Sequence, residues 1–252
     1  MLGKLMKYEF LVTGRTLLPI YGAVLLFSVV HRLLVNPFGT PFGTTSAAGT
    51  TGLAALTFFY VMAMFAGGII TTVVIIRRFY KNTLRDEGYL THTLPVSVSA
   101  LIWGKLIPAF CWTIVGFLVL MLNFAIIFAH SWIFEFFQFD IWRYFFDMFR
   151  WNMMMTLSLL TVIASLLTGI LGFYCALALG HLMRRAKILW AVIYWMIMNF
   201  IFSLISGMFT EMFFSAPSEY FLVSLALAGT LARGAIFYAL THSILRAFLN
   251  LE

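Results

Sequence analysis

The chain has 252 residues, of which 63% are hydrophobic and 10% charged, with a mean hydropathy of +1.00 and a formal net charge of +7. Soluble domains hold about 45–50% apolar residues, so this composition excludes a soluble globular protein and marks an integral membrane protein. Six spans of roughly 20 residues each, with their connections, account for the length and leave no room for an additional soluble domain. The expectation is an all-α polytopic membrane protein, a single transmembrane domain over residues 1–252.

In residues 1–15, Leu2, Leu5, Met6 and Phe10 fall near helical spacing, with Lys4 and Lys7 on another face. That pattern predicts a short helix lying on the cytoplasmic surface of the membrane. Glu9 falls close to its apolar side. No small-residue cleavage site follows a short apolar run, so the segment reads as retained rather than as a signal peptide. Residues 16–35 form the first span, with His31 and Arg32 near its far end, where long or amphipathic side chains reach the interface. Residues 36–52 are uncharged, rich in Gly, Thr and Ser, and contain Pro37 and Pro41, as an outside loop does. The second span, 53–76, contains Gly67 and Gly68, which permit a bend or a close approach of another helix.

Residues 77–105 are the longest polar passage between apolar runs, with five basic and two acidic side chains. A loop with that excess of basic residues belongs in the cytoplasm. Residues 77–87 continue the helical character of the second span, and Gly88 can take a left-handed conformation at the helix end. Pro95 turns Leu94 away from helix. Ser97 or Ser99 can then cap a new helix. The passage reads as a compact knob beneath the membrane.

The third span covers 106–129. Ten of the twenty-one residues in 130–150 are Trp, Tyr or Phe, the composition of a membrane interface. Asp140, Arg143, Asp147 and Arg150 follow one another at helical spacing with alternating sign, which predicts an outer amphipathic helix, an interfacial anchor or a substrate lid. Residues 151–180 form a fourth span longer than a bilayer requires, so it projects or tilts. A basic inside turn with Arg184, Arg185 and Lys187 precedes the fifth span, 188–207, and the sixth is 220–248. Twelve basic residues fall in the inside segments and two, Arg143 and Arg150, in outside ones, which places both termini in the cytoplasm. The net charge is thereby a topology signal and gives no support to nucleic-acid binding.

The run Asp86, Glu87, Gly88, Tyr89, Leu90, Thr91, then Thr93, Leu94, Pro95, Val96 and Ser97, resembles the cytoplasmic loop between the second and third spans of ABC-2-type exporter permeases. The opening Lys7, Tyr8, Glu9, Phe10, followed by Thr13 to Pro19, is similar to the start of bacterial members of that family. In hydropathy the resemblance covers the whole chain. It implies a six-helix permease subunit in a bacterial cytoplasmic membrane, paired with itself or a sister chain, and coupled to two copies of a separate ABC ATPase. ATP and Mg2+ would bind in that partner, with no cofactor in this chain. Asp86, Glu87, Gly88, Tyr89, Leu90, Thr91, Leu94 and Pro95 become the coupling contact. The substrate is expected to be amphipathic or hydrophobic: a drug, an antimicrobial peptide or a lipid. By the same resemblance, the second and fifth spans of two subunits meet around the translocation path. That selects Phe58, Phe59, Met62 and Phe65 on one side and Tyr194, Met198, Asn199 and Phe202 on the other, among membrane lipids.

Signatures of chemistry within the chain are few. There is no G-x-x-x-x-G-K-[ST] sequence, and Gly104–Lys105 lacks both the leading glycine and the following hydroxyl, so ATP-driven work must come from a partner and the chain is not itself an enzyme. The five histidines are scattered without metal-ligand spacing, and Cys111 and Cys175 sit alone in apolar spans. Arg233 falls near the middle of the sixth span, where an arginine costs about 2.5–3.5 kcal/mol on insertion scales. It is expected either to pair with backbone carbonyls or an outer glutamate, or to line a transport path or subunit seam. An ATP-independent channel or secondary transporter calls for inverted repeats or in-span acids, neither of which is found. A membrane assembly factor is the remaining alternative.

Overall fold

A computed structural model describes residues 2–35, 47–84, 97–136, 153–183, 185–212 and 218–248 of the chain. The described residues form six long helices: α1 (Leu2–Val35), α2 (Ala47–Phe79), α3 (Val98–Phe136), α4 (Met153–His181), α5 (Lys187–Met212) and α6 (Glu219–Phe248). All six are long and apolar enough to cross a membrane, and no strand occurs among the described residues. Helix is the form a bilayer requires, because it pairs every backbone polar group within its own segment where no water can do so.

Two boundaries differ from the sequence reading. The surface helix expected at 1–15 and the first span are one helix of 34 residues. The helix runs through Gly14 and Pro19, and the Thr16 hydroxyl donates back to Val12 O at 3.4 Å, one turn earlier. A proline there removes one backbone donor, which membrane helices tolerate. At about 1.5 Å per residue α1 is ~51 Å long, well beyond a ~30 Å hydrocarbon core, so its ends project. Likewise the helix expected to start at Ser97 or Ser99 and the span expected from 106 are one helix, α3, which begins at Val98 and is capped by Ser97, whose Oγ accepts from the Ala100 N–H at 3.3 Å. Its far end runs through Phe136 into the stretch expected as a separate outer helix; Asp140, Arg143, Asp147 and Arg150 lie outside the described residues.

The chain packs as two compact units. The first comprises Met1–Glu9, Ile76–Phe110 and Trp151–Glu252. Here α4 is the central helix, flanked by α5 and α6. Ala164, Thr168, Gly172, Ala176 and Gly180 recur every fourth residue along α4 and are all buried, a small-residue stripe that lets neighbouring backbones come close. Opposite it, a Cβ on Gly234 of α6 would lie 2.7 Å from Thr168 Oγ1, so any larger residue there would force the threonine side chain to move. At the α4–α5 turn, a Cβ on Gly180 would lie 2.6 Å from Lys187 O, and Ala186 takes a positive φ of 52° to reverse the chain.

The second unit comprises Phe10–Ile75 and Cys111–Arg150. Its core is Leu17, Tyr21 and Trp112, with Ile20, Val74, Val115 and Val119 packed around them. The Tyr21 hydroxyl donates to Trp112 O at 3.3 Å and lies 3.2 Å from Thr71 Oγ1, which ties α1, α2 and α3 at one level. Further along, Ser28 Oγ lies against Asn123 Oδ1, both side chains fully buried, and Asn123 Nδ2 donates to Val119 O at 2.7 Å. In an apolar medium such polar pairs specify register, because an unmatched partner is left without a hydrogen bond.

Candidate functional site

The densest charged constellation is centred on Glu9. Arg78 donates to its Oε2 through Nε at 2.9 Å and Nη2 at 2.7 Å, and Lys105 donates to Oε1 at 2.7 Å. Asn82 Nδ2 adds a contact at 3.4 Å from a π-helical turn, Tyr80–Leu84, that closes α2. The Lys105 side chain is only 5% exposed and that of Glu9 12%, so neither charge has water as its main partner. A lysine buried to that degree is tolerable because the carboxylate compensates it. The cluster gathers three helices: the start of α1, the last turn of α2 and the second turn of α3.

A fourth helix joins through aromatic packing. Phe79, the neighbour of Arg78, stacks on Tyr174 of α4 with ring centroids 3.8 Å apart and planes within 8°. The Tyr174 hydroxyl donates to the Lys105 backbone carbonyl at 3.3 Å. One side chain of α4 therefore bridges both helices that Glu9 holds. Arg78 and Lys105 lie on the two helical segments that lead into and out of residues 85–96, which connect α2 to α3 along the chain. Asp86, Glu87, Gly88, Tyr89, Leu90, Thr91, Leu94 and Pro95 lie in that connection, outside the described residues.

Arg233 provides the second site, also in the first unit. Its Nη2 donates to Asn199 Oδ1 of α5 at 2.5 Å, and its guanidinium carbon lies 5.3 Å from the ring centres of both Phe202 and Phe237. Neither backbone carbonyls nor an outer glutamate serve as its partner among the described residues. An amide dipole and two aromatic faces hold the cation instead, the latter by attraction to the negative ring faces. Asn199 is itself fixed, because its Nδ2 donates to Trp195 O at 2.7 Å, one turn back. Of the eight path residues selected on spans two and five, the structure brings Asn199 and Phe202 together with Arg233. Tyr194 packs instead against Trp190, and Met198 meets Cys175 Sγ at 4.0 Å.

Phe58, Phe59, Met62 and Phe65 belong to the second unit, where all four are exposed on α2. Phe65 lines a groove of about 720 Å3 with Tyr60, Met64, Gly68, Leu120 and Phe124. Phe59 lines another of about 680 Å3 that includes Phe27, Leu56 and Ala63. Both are apolar, the kind of surface that hydrocarbon covers. Beside them His31, buried near the end of α1, stacks on Tyr60 and lies 3.3 Å from Thr57 Oγ1. The free cysteines are Cys111 and Cys175, and no group of His, Cys, Asp or Glu that could hold a metal ion occurs among the described residues.

The Glu9 cluster went unidentified in the sequence, although one signal was present. Glu9 spoiled the apolar face of the first helix, and a carboxylate in such a place needs cations on whatever packs there. Phe237 carried no signal at all; it is one of twenty-eight phenylalanines. Taken together, the chain is a multi-pass α-helical membrane protein with six candidate spans. Comparison with protein-family models, with curated proteins and with solved structures gives no match.

Proposed function

We propose that the chain is the membrane-spanning permease subunit of an ATP-binding-cassette exporter, driven by a separate ATPase and moving an amphipathic or hydrophobic substrate. The observation that carries this reading is the grip of one carboxylate, Glu9, on both helices that flank residues 85–96. A push on that segment reaches α2 through Arg78 and α3 through Lys105 together, and α4 through the Phe79–Tyr174 stack. A short stroke then moves a rigid group of helices instead of being absorbed by one loop, which is what a two-state transporter needs.

In this reading the partner binds ATP and Mg2+, and its closure drives the coupling contact formed by residues 86–95. Asp86 and Glu87 dock in a basic groove or at a helix N-terminus of that partner. Two permease chains, identical or sisters, assemble with two ATPases. The excess of basic residues in the inside segments sets both termini in the cytoplasm, with the protein in a bacterial cytoplasmic membrane.

The test is to purify the tagged chain from its native membrane in a gentle detergent, identify stoichiometric soluble partners and assay the eluate for ATP hydrolysis. Co-purification of a P-loop ATPase, lost when residues 87–95 are replaced, supports the exporter. A chain that purifies alone and inactive, under conditions that preserve other complexes, overturns it in favour of a channel, a secondary transporter or a membrane assembly factor.

A further inference from the structure

Arg233 lies thirteen positions after Tyr220 and fourteen before Ala247, the ends of the sixth candidate span. At ~1.5 Å per residue it is about 20 Å from either end, the middle of a bilayer. Of its five N–H groups, one donates to Asn199 Oδ1, while Nε is buried with no hydrogen-bond partner. Asn199 and the two phenylalanines are neutral, so they orient the cation without cancelling its charge. The two carboxylates whose side chains the structure describes do not cancel it either. Glu9 is engaged by Arg78 and Lys105, and Glu211 lies twelve positions along α5 from Asn199, ~18 Å of helix axis away.

A planar guanidinium with donors left over, partly buried at mid-membrane, is a receptor for a carboxylate or phosphate group, which it can meet with paired parallel hydrogen bonds. Its setting selects what carries that anion. Phe202 and Phe237 flank the cation, and Ile236, one turn along α6 from it, is 46% exposed. A strongly hydrated inorganic ion would lose its water to reach this depth and gain only apolar neighbours. A molecule with an anionic head on an apolar body brings its own hydrocarbon cover.

We infer that Arg233, oriented by Asn199 and flanked by Phe202 and Phe237, is a binding site for an anionic amphiphile, a carboxylate or phosphate attached to an apolar body. Describing that amphiphile as the cargo rests on the exporter reading above; the binding site does not.

Binding is measured on the full chain purified in a neutral detergent, by calorimetry and by the shift in melting temperature, with decyl phosphate, decanol and inorganic phosphate as probes. Decyl phosphate is expected to bind at one site per chain and raise the melting temperature, while decanol and inorganic phosphate at equal concentration do neither. Arg233→Gln is expected to weaken decyl phosphate binding by on the order of tenfold or more, and Arg233→Lys, which keeps the charge but loses the planar fork, to bind with intermediate affinity. If Arg233→Gln does not fold, Asn199→Leu takes its place, since it leaves the cation but removes its orientation and should weaken binding severalfold. Equal binding by wild type and the variants overturns the site. So does inorganic phosphate or decanol binding as well as decyl phosphate, or no binding by any probe. The assay needs no ATPase, so an amphiphile bound by a chain that captures no ATPase refutes the exporter alone, and a captured ATPase without amphiphile binding refutes this site alone.

Discussion

Glu9 Oε1 accepts from Lys105 Nζ at 2.7 Å, and the lysine that makes this bond is almost wholly buried. The pair joins residues 96 positions apart in the chain. It also sets the register of α1 against α3, since sliding either helix by one turn would separate the ammonium from this carboxylate in a medium that solvates charge poorly.

Removing the carboxylate should therefore be costly. Glu9→Gln leaves Arg78 and Lys105 facing each other with no anion between them, and should destabilise the protein by about 3–5 kcal/mol, the range for breaking a buried ion pair. Replacing Lys105 by Met in the same background should restore part of the loss, because it removes the stranded charge. Thermal unfolding in detergent, followed by tryptophan fluorescence, measures both. A Glu9→Gln protein that melts with the wild type contradicts the clamp.

The close helix crossings predict a contrast among glycines. Gly180→Ala places a methyl 2.6 Å from the Lys187 carbonyl and 2.7 Å from the Ala191 nitrogen, backbone atoms that cannot rotate away. It should cost on the order of 1–3 kcal/mol, as overpacking does. Gly229→Ala on α6 meets nothing within 4 Å and should be neutral or slightly stabilising. Equal melting temperatures for the two variants would show that α4 and α5 are not packed this closely.

Ser28 and Asn123 should be energetically coupled. Both are fully buried and in contact across α1 and α3. A double-mutant cycle of Ser28→Ala and Asn123→Ala should return a coupling of about 0.6 kcal/mol and no more than ~1.7, the range measured for hydrogen bonds between membrane helices. Strict additivity would remove this pair as a register device.

Glu87→Ala tests the coupling contact itself. In the assembled exporter it should leave expression and melting unchanged, let ATP hydrolysis continue, and lower transport by on the order of tenfold, since it alters the linkage between two sites rather than either site. Transport assayed against hydrolysis in reconstituted vesicles decides it, and an unchanged ratio counts against the assignment of residues 86–95.

Much of the architecture is a consequence of composition. Long apolar runs separated by polar passages can satisfy their backbone in a bilayer only as helices, and so the six helices, a helix start at Ser97 or Ser99 and the exceptional status of Arg233 were legible from residue order. The limits of α1 were less so. Charge and amphipathicity in residues 1–15, with Gly14, Thr16 and Pro19 at the junction, suggested a change of direction, but α1 runs through all three without a break.

What only the tertiary structure decided is which residues, distant in sequence, share a neighbourhood. Glu9, Arg78, Lys105 and Tyr174 come from four helices, and no local period links them. Their meeting depends on the Phe79–Tyr174 stack and on each buried charge having a geometry that satisfies it. Arg233 was conspicuous in sequence because its charge is a property of the residue. Its partners, Asn199 on α5 and Phe237 on its own helix, were not, because partnership is a property of packing.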